Sequence, residues 1–306
     1  MDNSEPREQA KARFRFSDHP WLSLLAVVTI FVLVLILLTI FVFGFIGLSS
    51  DSPIAGFITT TLAHVLTLFV LVPFVLHLPK GRRSLKQYVD DIRLSRTQPL
   101  GQLLLLAFSC YAILALCQAT GPVVYRLSQG RPVTWAFVRG VFDVSGDLPP
   151  GSLSLLTSFP SIFEEVTFRG VVLTVFLSKY SKWKSIAISA AGFSLMHLLN
   201  LATGKELAWV LGQVGWTFIF GLFYGYLFVQ AGSLLPPMIV HYISNVFVGS
   251  FTSYLQETAP IETQALYGVV FTFGVVPTAL LILWVRYFTS RWTRPATHEG
   301  IIGPME

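Results

Sequence analysis

Charge is what this sequence has least of. Only 12% of its 306 residues are Asp, Glu, Lys or Arg, about half the share near 25% that soluble domains carry. With 53% hydrophobic residues, one soluble core cannot absorb the remainder, because helices that are apolar all round need burial on every side. Cysteine is equally sparse. Cys110 and Cys117 stand seven apart in one apolar block, roughly 10 Å by helical rise. That is too far for a disulfide, so they read as packing residues. Also absent are an HExxH pair, a Ser or Cys nucleophile motif, internal repeats and low-complexity linkers. The net charge of +5 does not point to nucleic acid, because the basic residues lie between apolar blocks, where they set membrane orientation.

What is present is a series of long apolar blocks: 21–48, 54–78, 99–120, 152–177, 185–202, 208–229, 237–254 and 265–288. Most approach or exceed the roughly 20 residues that cross a bilayer. They predict an all-α polytopic membrane bundle of about eight transmembrane helices, with the lipid bilayer as its first partner. The first block is longer than the apolar region of a secretory signal, about 7–15 residues, and reads as a retained helix. Residues 79–98 are rich in Lys and Arg, and Leu85, Tyr88, Val89 and Ile92 recur there at helical spacing. This predicts a short amphipathic helix on the membrane surface. The loop 121–150 carries Trp135, Phe137 and Phe142, which suit the interface. Gly221 and Gly225 form a small-xxx-small pair for close helix contact. The expected organisation is a cytoplasmic segment 1–18, a transmembrane domain 19–288 with its core at about 150–250, and a cytoplasmic tail 289–306.

Orientation follows from the basic residues. Of 21 Lys and Arg, about 16 fall on the side of the termini, about four on the other, and Arg169 lies inside a block. The excess predicts that both termini are cytoplasmic. The overall character suits a multi-pass protein of a bacterial plasma membrane.

Ionisable groups at membrane depth are costly and usually face the bundle interior. Glu164, Glu165, Arg169, His197 and His241 stand out within the later blocks, with Asn245 as a further strong polar group. Glu165 and Arg169 are four apart, Glu first, and pair on one helix face. Glu164 lies about 100° round the helix from Glu165 and keeps a free carboxylate. His241 and Asn245 share a face, as do Phe193 and His197. Pro160, four residues before Glu164, predicts a kink. A single histidine in a membrane helix is often an interhelical hydrogen-bond partner. Two adjacent carboxylates, two histidines and an Asn with one arginine to balance them point instead to a site. A buried carboxylate without a full partner is a candidate base.

These residues carry a resemblance. Glu164-Glu165-Val166-Thr167-Phe168-Arg169 resembles the EExxxR motif of the CPBP family, the CAAX proteases and bacteriocin-processing enzymes. Phe193-Ser194-Leu195-Met196-His197 resembles its FxxxH motif, and His241-Tyr242-Ile243-Ser244-Asn245 its HxxxN motif. All three stand in the family's order on separate blocks, over about residues 150–250. The resemblance implies an all-helical membrane endopeptidase of about eight spans, its catalytic cavity reached from the cytoplasm. It implies that Glu164 activates water, Glu165 and Arg169 support it, His197 holds the water, and His241 and Asn245 stabilise the oxyanion.

The expected activity is therefore intramembrane hydrolysis of a peptide bond in a membrane-associated protein or peptide, by a glutamate-dependent mechanism without a cofactor. Zinc held by His197, His241 and Glu164 is the alternative, since two histidines and a carboxylate with an open fourth position make a catalytic zinc set. The alternative function is non-enzymatic: a scaffold, an immunity factor, or a proton- or ion-coupled transporter using the same cluster.

Overall fold

The computed structural model describes residues 18–49, 52–77, 84–145 and 153–292. The basic segment with Arg7, Lys11, Arg13 and Arg15 and the tail from residue 293 lie outside the described residues, as do Lys80, Arg82 and Arg83 of the basic connection. The protein is 83% helical, with no strand among the described residues, an all-α bundle. Among the described residues, six helices are long and apolar enough to cross a membrane: Pro20–Phe45 (α1), Pro53–Phe74 (α2), Leu100–Ser128 (α4), Lys182–Thr203 (α7), Leu207–Ala231 (α8) and Ile261–Ser290 (α10). Leu85–Asp91 (α3) and Trp135–Val141 (α5) are short connecting helices. Two further helices, residues 160–177 (α6) and Leu235–Thr258 (α9), complete the series of blocks. They are not among the six: α6 carries Glu164, Glu165 and Arg169, and α9 is interrupted by His241, Asn245 and several hydroxyl residues.

Local chemistry sets the helix ends. Pro20 and Pro53 start α1 and α2, where a missing N–H costs nothing. Ser84 and Gln87 form a capping box on α3, and Gly232, in the left-handed region at φ +67°, ends α8. Gly221 and Gly225 serve close approach as expected. A Cβ on Gly221 would stand 3.0 Å from the Ala190 Cβ, and one on Gly225 2.9 Å from Ile186 Cγ2, so α7 and α8 pack along the small-residue face.

Cross-bundle contacts show which helix ends share a face. On one face, Trp21 Nε1 donates to the Tyr180 hydroxyl at 3.1 Å, and Trp183 stacks on Tyr226. There too the Arg93 guanidinium sits 4.9 Å over Phe228, and Ser233 donates to the Arg96 carbonyl. On the opposite face, the Tyr125 hydroxyl donates to the Thr258 carbonyl at 3.2 Å. Tyr125 also meets Tyr267, and Phe137 meets Tyr254. Successive long helices therefore alternate in direction.

Several expectations change in detail. Pro160 does not kink a continuous helix. It occupies the first turn of α6, after an isolated turn at Ser154–Thr157, because a helix start is where proline loses no hydrogen bond. The irregularity comes afterwards: Val166–Leu173 is π-helical, a widening often found at functional sites. The third long helix runs through Pro122 to Ser128 rather than stopping at 120. Phe137 and Phe142 pack on Tyr254 and Phe251 of α9; Trp135 and Phe142 keep the exposure an interface residue would show. Nor does α3 simply lie on a surface. Tyr88 and Ile92 are buried within the main core beside Phe228, Val229 and Leu234. Burial pushes the Tyr88 phenol well above its usual range and lowers Arg93 to about 10, helped by the neighbouring Arg96 charge. Cys110 and Cys117 are free and buried.

Candidate active site

The two adjacent glutamates face different surroundings, as helical phase requires. Glu165 is fully buried, whereas the Glu164 side chain keeps about 30% of its surface open. Glu165 Oε1 stands 3.2 Å from Arg169 Nη1 and accepts a hydrogen bond from His241 Nδ1 at 2.8 Å. Arg169 is fully buried. Its Nη2 donates to the Gly221 carbonyl at 3.2 Å, and its guanidinium lies 4.6 Å over the Phe193 ring and 5.2 Å over Tyr224. A buried guanidinium needs such partners, since an uncompensated charge in this setting costs several kcal/mol. The close α7–α8 packing brings the Gly221 carbonyl within reach.

His241 is the hinge of the arrangement. With Nδ1–H given to Glu165, its Nε2 faces Glu164, 3.8 Å from Oε2. That is beyond a direct hydrogen bond. Tyr224 stacks on the imidazole at 4.9 Å, and Phe193 meets its edge at 5.8 Å. Phe193 also packs edge-on to His197 at 4.9 Å. His197 sits where α7 changes from α-helix to a 3₁₀ turn. Its Nδ1 donates to the Phe193 carbonyl at 3.0 Å, which assigns the proton to Nδ1 in the neutral ring and leaves Nε2 as an acceptor. Each FxxxH residue therefore has a role: the phenylalanine holds both imidazoles and the arginine in place.

Glu164, His197, His241 and Asn245 line one cavity of about 440 Å³. Glu165 and Arg169 do not line it; they stand behind His241. The six residues singled out in the sequence thus divide into four at the cavity and two that support them. Cavity residues that the sequence reading passed over include Tyr224, Gln213, Gln256 and Gln264. Tyr224 lies three residues after Gly221, on the face through which α8 approaches α7. His64, in the second apolar block, was also passed over. It is buried on α2, bonded to the Thr60 carbonyl at 2.9 Å and stacked on Phe163, within electrostatic reach of Glu164. Its signal was plain: a titratable residue near the middle of an apolar block.

The zinc alternative requires three ligands converging on one point. Among the described residues, no group of three or more His, Cys, Asp or Glu is placed to hold a metal ion. His241 Nδ1 is committed to Glu165, which leaves Nε2 as the nitrogen turned towards Glu164.

Residues 148–247 match the family model described as type II CAAX prenyl endopeptidase Rce1-like. No curated protein and no solved structure matches the chain. The matched third of the chain contains all three motifs and every one of the six residues, and it ends just after Asn245. Over residues 148–247, then, this integral, multi-pass membrane protein is similar to the Rce1-like type II CAAX prenyl endopeptidases.

Proposed function

We propose that the protein is an intramembrane endopeptidase in which Glu164 activates a water molecule for attack on a peptide carbonyl. The observation that carries this reading is the cavity shared by Glu164, His197, His241 and Asn245, with the buried Glu165–Arg169 pair behind it. Glu164 takes a proton from water and returns it to the leaving amine. His197 Nε2 accepts a hydrogen bond from the same water and orients it. Glu165 holds His241 through Nδ1, so that Nε2 is the nitrogen turned towards Glu164 and the cavity. The opposite charges of Arg169 and Glu165, 3.2 Å apart, lower the cost of burying each other. The Asn245 amide donates to the oxyanion, joined by His241 Nε2 once that nitrogen has taken up a proton, one good donor being worth about 3–4 kcal/mol.

The mechanism needs no metal. Purified protein treated with a strong chelator should keep its activity, and elemental analysis should find no stoichiometric zinc. Loss of activity on chelation with recovery on zinc addition would replace Glu164 as the activating group. A transporter built on the same cluster is less favoured, because transport needs a path through both faces. Here the end of the bundle nearest α3 is filled by Tyr88, Ile92, Phe228 and Leu234. The decisive experiment is mapping of cleavage products by mass spectrometry in cells carrying the intact protein or Glu164→Gln. Products formed equally in both would end the protease reading.

A further inference from the structure

We infer that the cavity opens on the non-cytoplasmic face, and that the substrate is an uncharged peptide segment presented from that side. This rests on the protease reading for the word substrate, but not for the direction of access.

The geometry is directional. On α9, His241 lies six residues after Leu235 and 15 before Gln256, about 9 Å and 22 Å along the helix. On α8, Tyr224 and Trp209 are also about 22 Å apart by helical rise. From Tyr224 and His241 the lining runs only one way: through Phe220 and Asn245, then Gln213 and Thr252, to Trp209, Gln256 and Gln264. Burial changes along the same path. Tyr224, Phe220 and His241 are buried, Gln213 and Gln264 are half-exposed, and Gln256 is exposed. The mouth therefore lies at the C-terminus of α9 and the N-termini of α8 and α10.

That end is the face of Tyr125, Thr258 and Tyr267, not the face of Trp21, Tyr180 and Arg96. The described basic residues divide unevenly between the two. Lys86, Arg93, Arg96, Lys179, Lys182, Lys184, Arg286 and Arg291 lie towards the closed end, against Arg126, Arg131, Arg139 and Lys205 towards the mouth. Lys and Arg concentrate on the cytoplasmic side of membrane proteins. The closed end is thus cytoplasmic and the mouth faces away from the cytoplasm, opposite to the access that the family resemblance implies.

The lining also limits what enters. Glu164 is its only Asp, Glu, Lys or Arg. Gln213, Gln256, Gln264 and Thr252 offer amide and hydroxyl groups suited to main-chain N–H and C=O, and Trp209 and Trp216 supply flat apolar surface. Among the described residues no Lys or Arg lines the cavity itself; Lys205 lies at its rim, 5.9 Å over the Trp209 ring. Thr252, Gln256 and Gln264 also lie beyond residue 247, outside the Rce1-like match, so this chain's own sequence sets the entrance.

The test is labelling of intact cells with a membrane-impermeant maleimide, in full-length protein whose Cys110 and Cys117 are replaced by Ala. Gln256→Cys, on the mouth, should label in intact cells, and Lys184→Cys, exposed on the other face, only after permeabilisation. Glu262→Cys, exposed at the start of α10, should label like Gln256→Cys and guards against local misfolding at the mouth. Labelled Gln256→Cys should also lose most of its peptide turnover. Labelling of Gln256→Cys and Glu262→Cys only after permeabilisation overturns the direction of access, even where Glu164→Gln abolishes cleavage. Conversely, labelling from outside with full activity in Glu164→Gln would keep the access and discard the chemistry.

Discussion

The first helix and the sixth are opposites in one molecule. α1 has a mean hydropathy of 3.3, and only 11% of its most apolar stretch is buried inside the protein. Leu33, Leu37, Phe41 and Phe45 turn outward, as expected of a surface that meets lipid. α6 is shorter, fails the composition of a simple span because it carries three charges, and buries Val166–Leu173 completely. Hydrophobicity and burial therefore run in opposite directions: the more apolar helix is peripheral and the more charged one is central. In lipid this is the economical arrangement, because apolar surface needs no protein partner, while each charge must find one inside the bundle.

Substitutions test how deep that contrast goes. The largest effect should come from Glu164→Gln, with peptide turnover reduced by about 10³–10⁴, in line with loss of a general base, and unchanged detergent-solution melting. Arg169→Met should follow: it strands the Glu165 carboxylate, whose Oε2 already lacks a hydrogen-bond partner. A loss of about 3–5 kcal/mol is expected, measurable as a fall in melting temperature. The double variant Glu165→Gln/Arg169→Met should recover much of that stability while remaining poorly active; recovery of activity as well would mean the pair does not orient His241. Asn245→Ala should lower turnover by about 10²-fold with little change in apparent substrate binding, the signature of a lost oxyanion donor. Gly225→Ala, which forces a contact on Ile186, should cost about 1–3 kcal/mol by overpacking. Leu37→Ala on α1 should change stability by less than about 0.5 kcal/mol. A large effect there would mean that α1 is covered by another protein surface rather than by lipid.

Much of this contrast was legible in the sequence. Apolar block length gives the helices, and charges inside blocks mark the helices that must be central. The i,i+4 spacing of Glu165 and Arg169 gave their pairing, and the 100° offset gave Glu164 its separate exposure. What periodicity could not supply was contact between helices. Nothing in the sequence says that Glu165 would also accept from His241, or that the Gly221 carbonyl would satisfy Arg169. The lining from Gln213 to Gln264 was hidden for a related reason. Single amides in a membrane block look like ordinary polar exceptions until two helices are placed side by side. Pro160 misled because the same residue starts helices and bends them, and only the preceding turns distinguish the two cases.

The π-helical stretch after Glu165 sets the rotational phase of α6. A wider turn houses one residue more than an α-turn, so the carboxylates on one side of it and Phe176 on the other are held out of ordinary α phase. Removing a single residue between 166 and 173 would let the segment wind as a plain α-helix and swing one half by about 100° against the other. The chain would lose little apolar character, yet Glu164 would no longer look into the chamber where His197 waits. Homologous chains that differ by one residue in this stretch would therefore differ in which side chain meets water, without any change in the motif letters themselves.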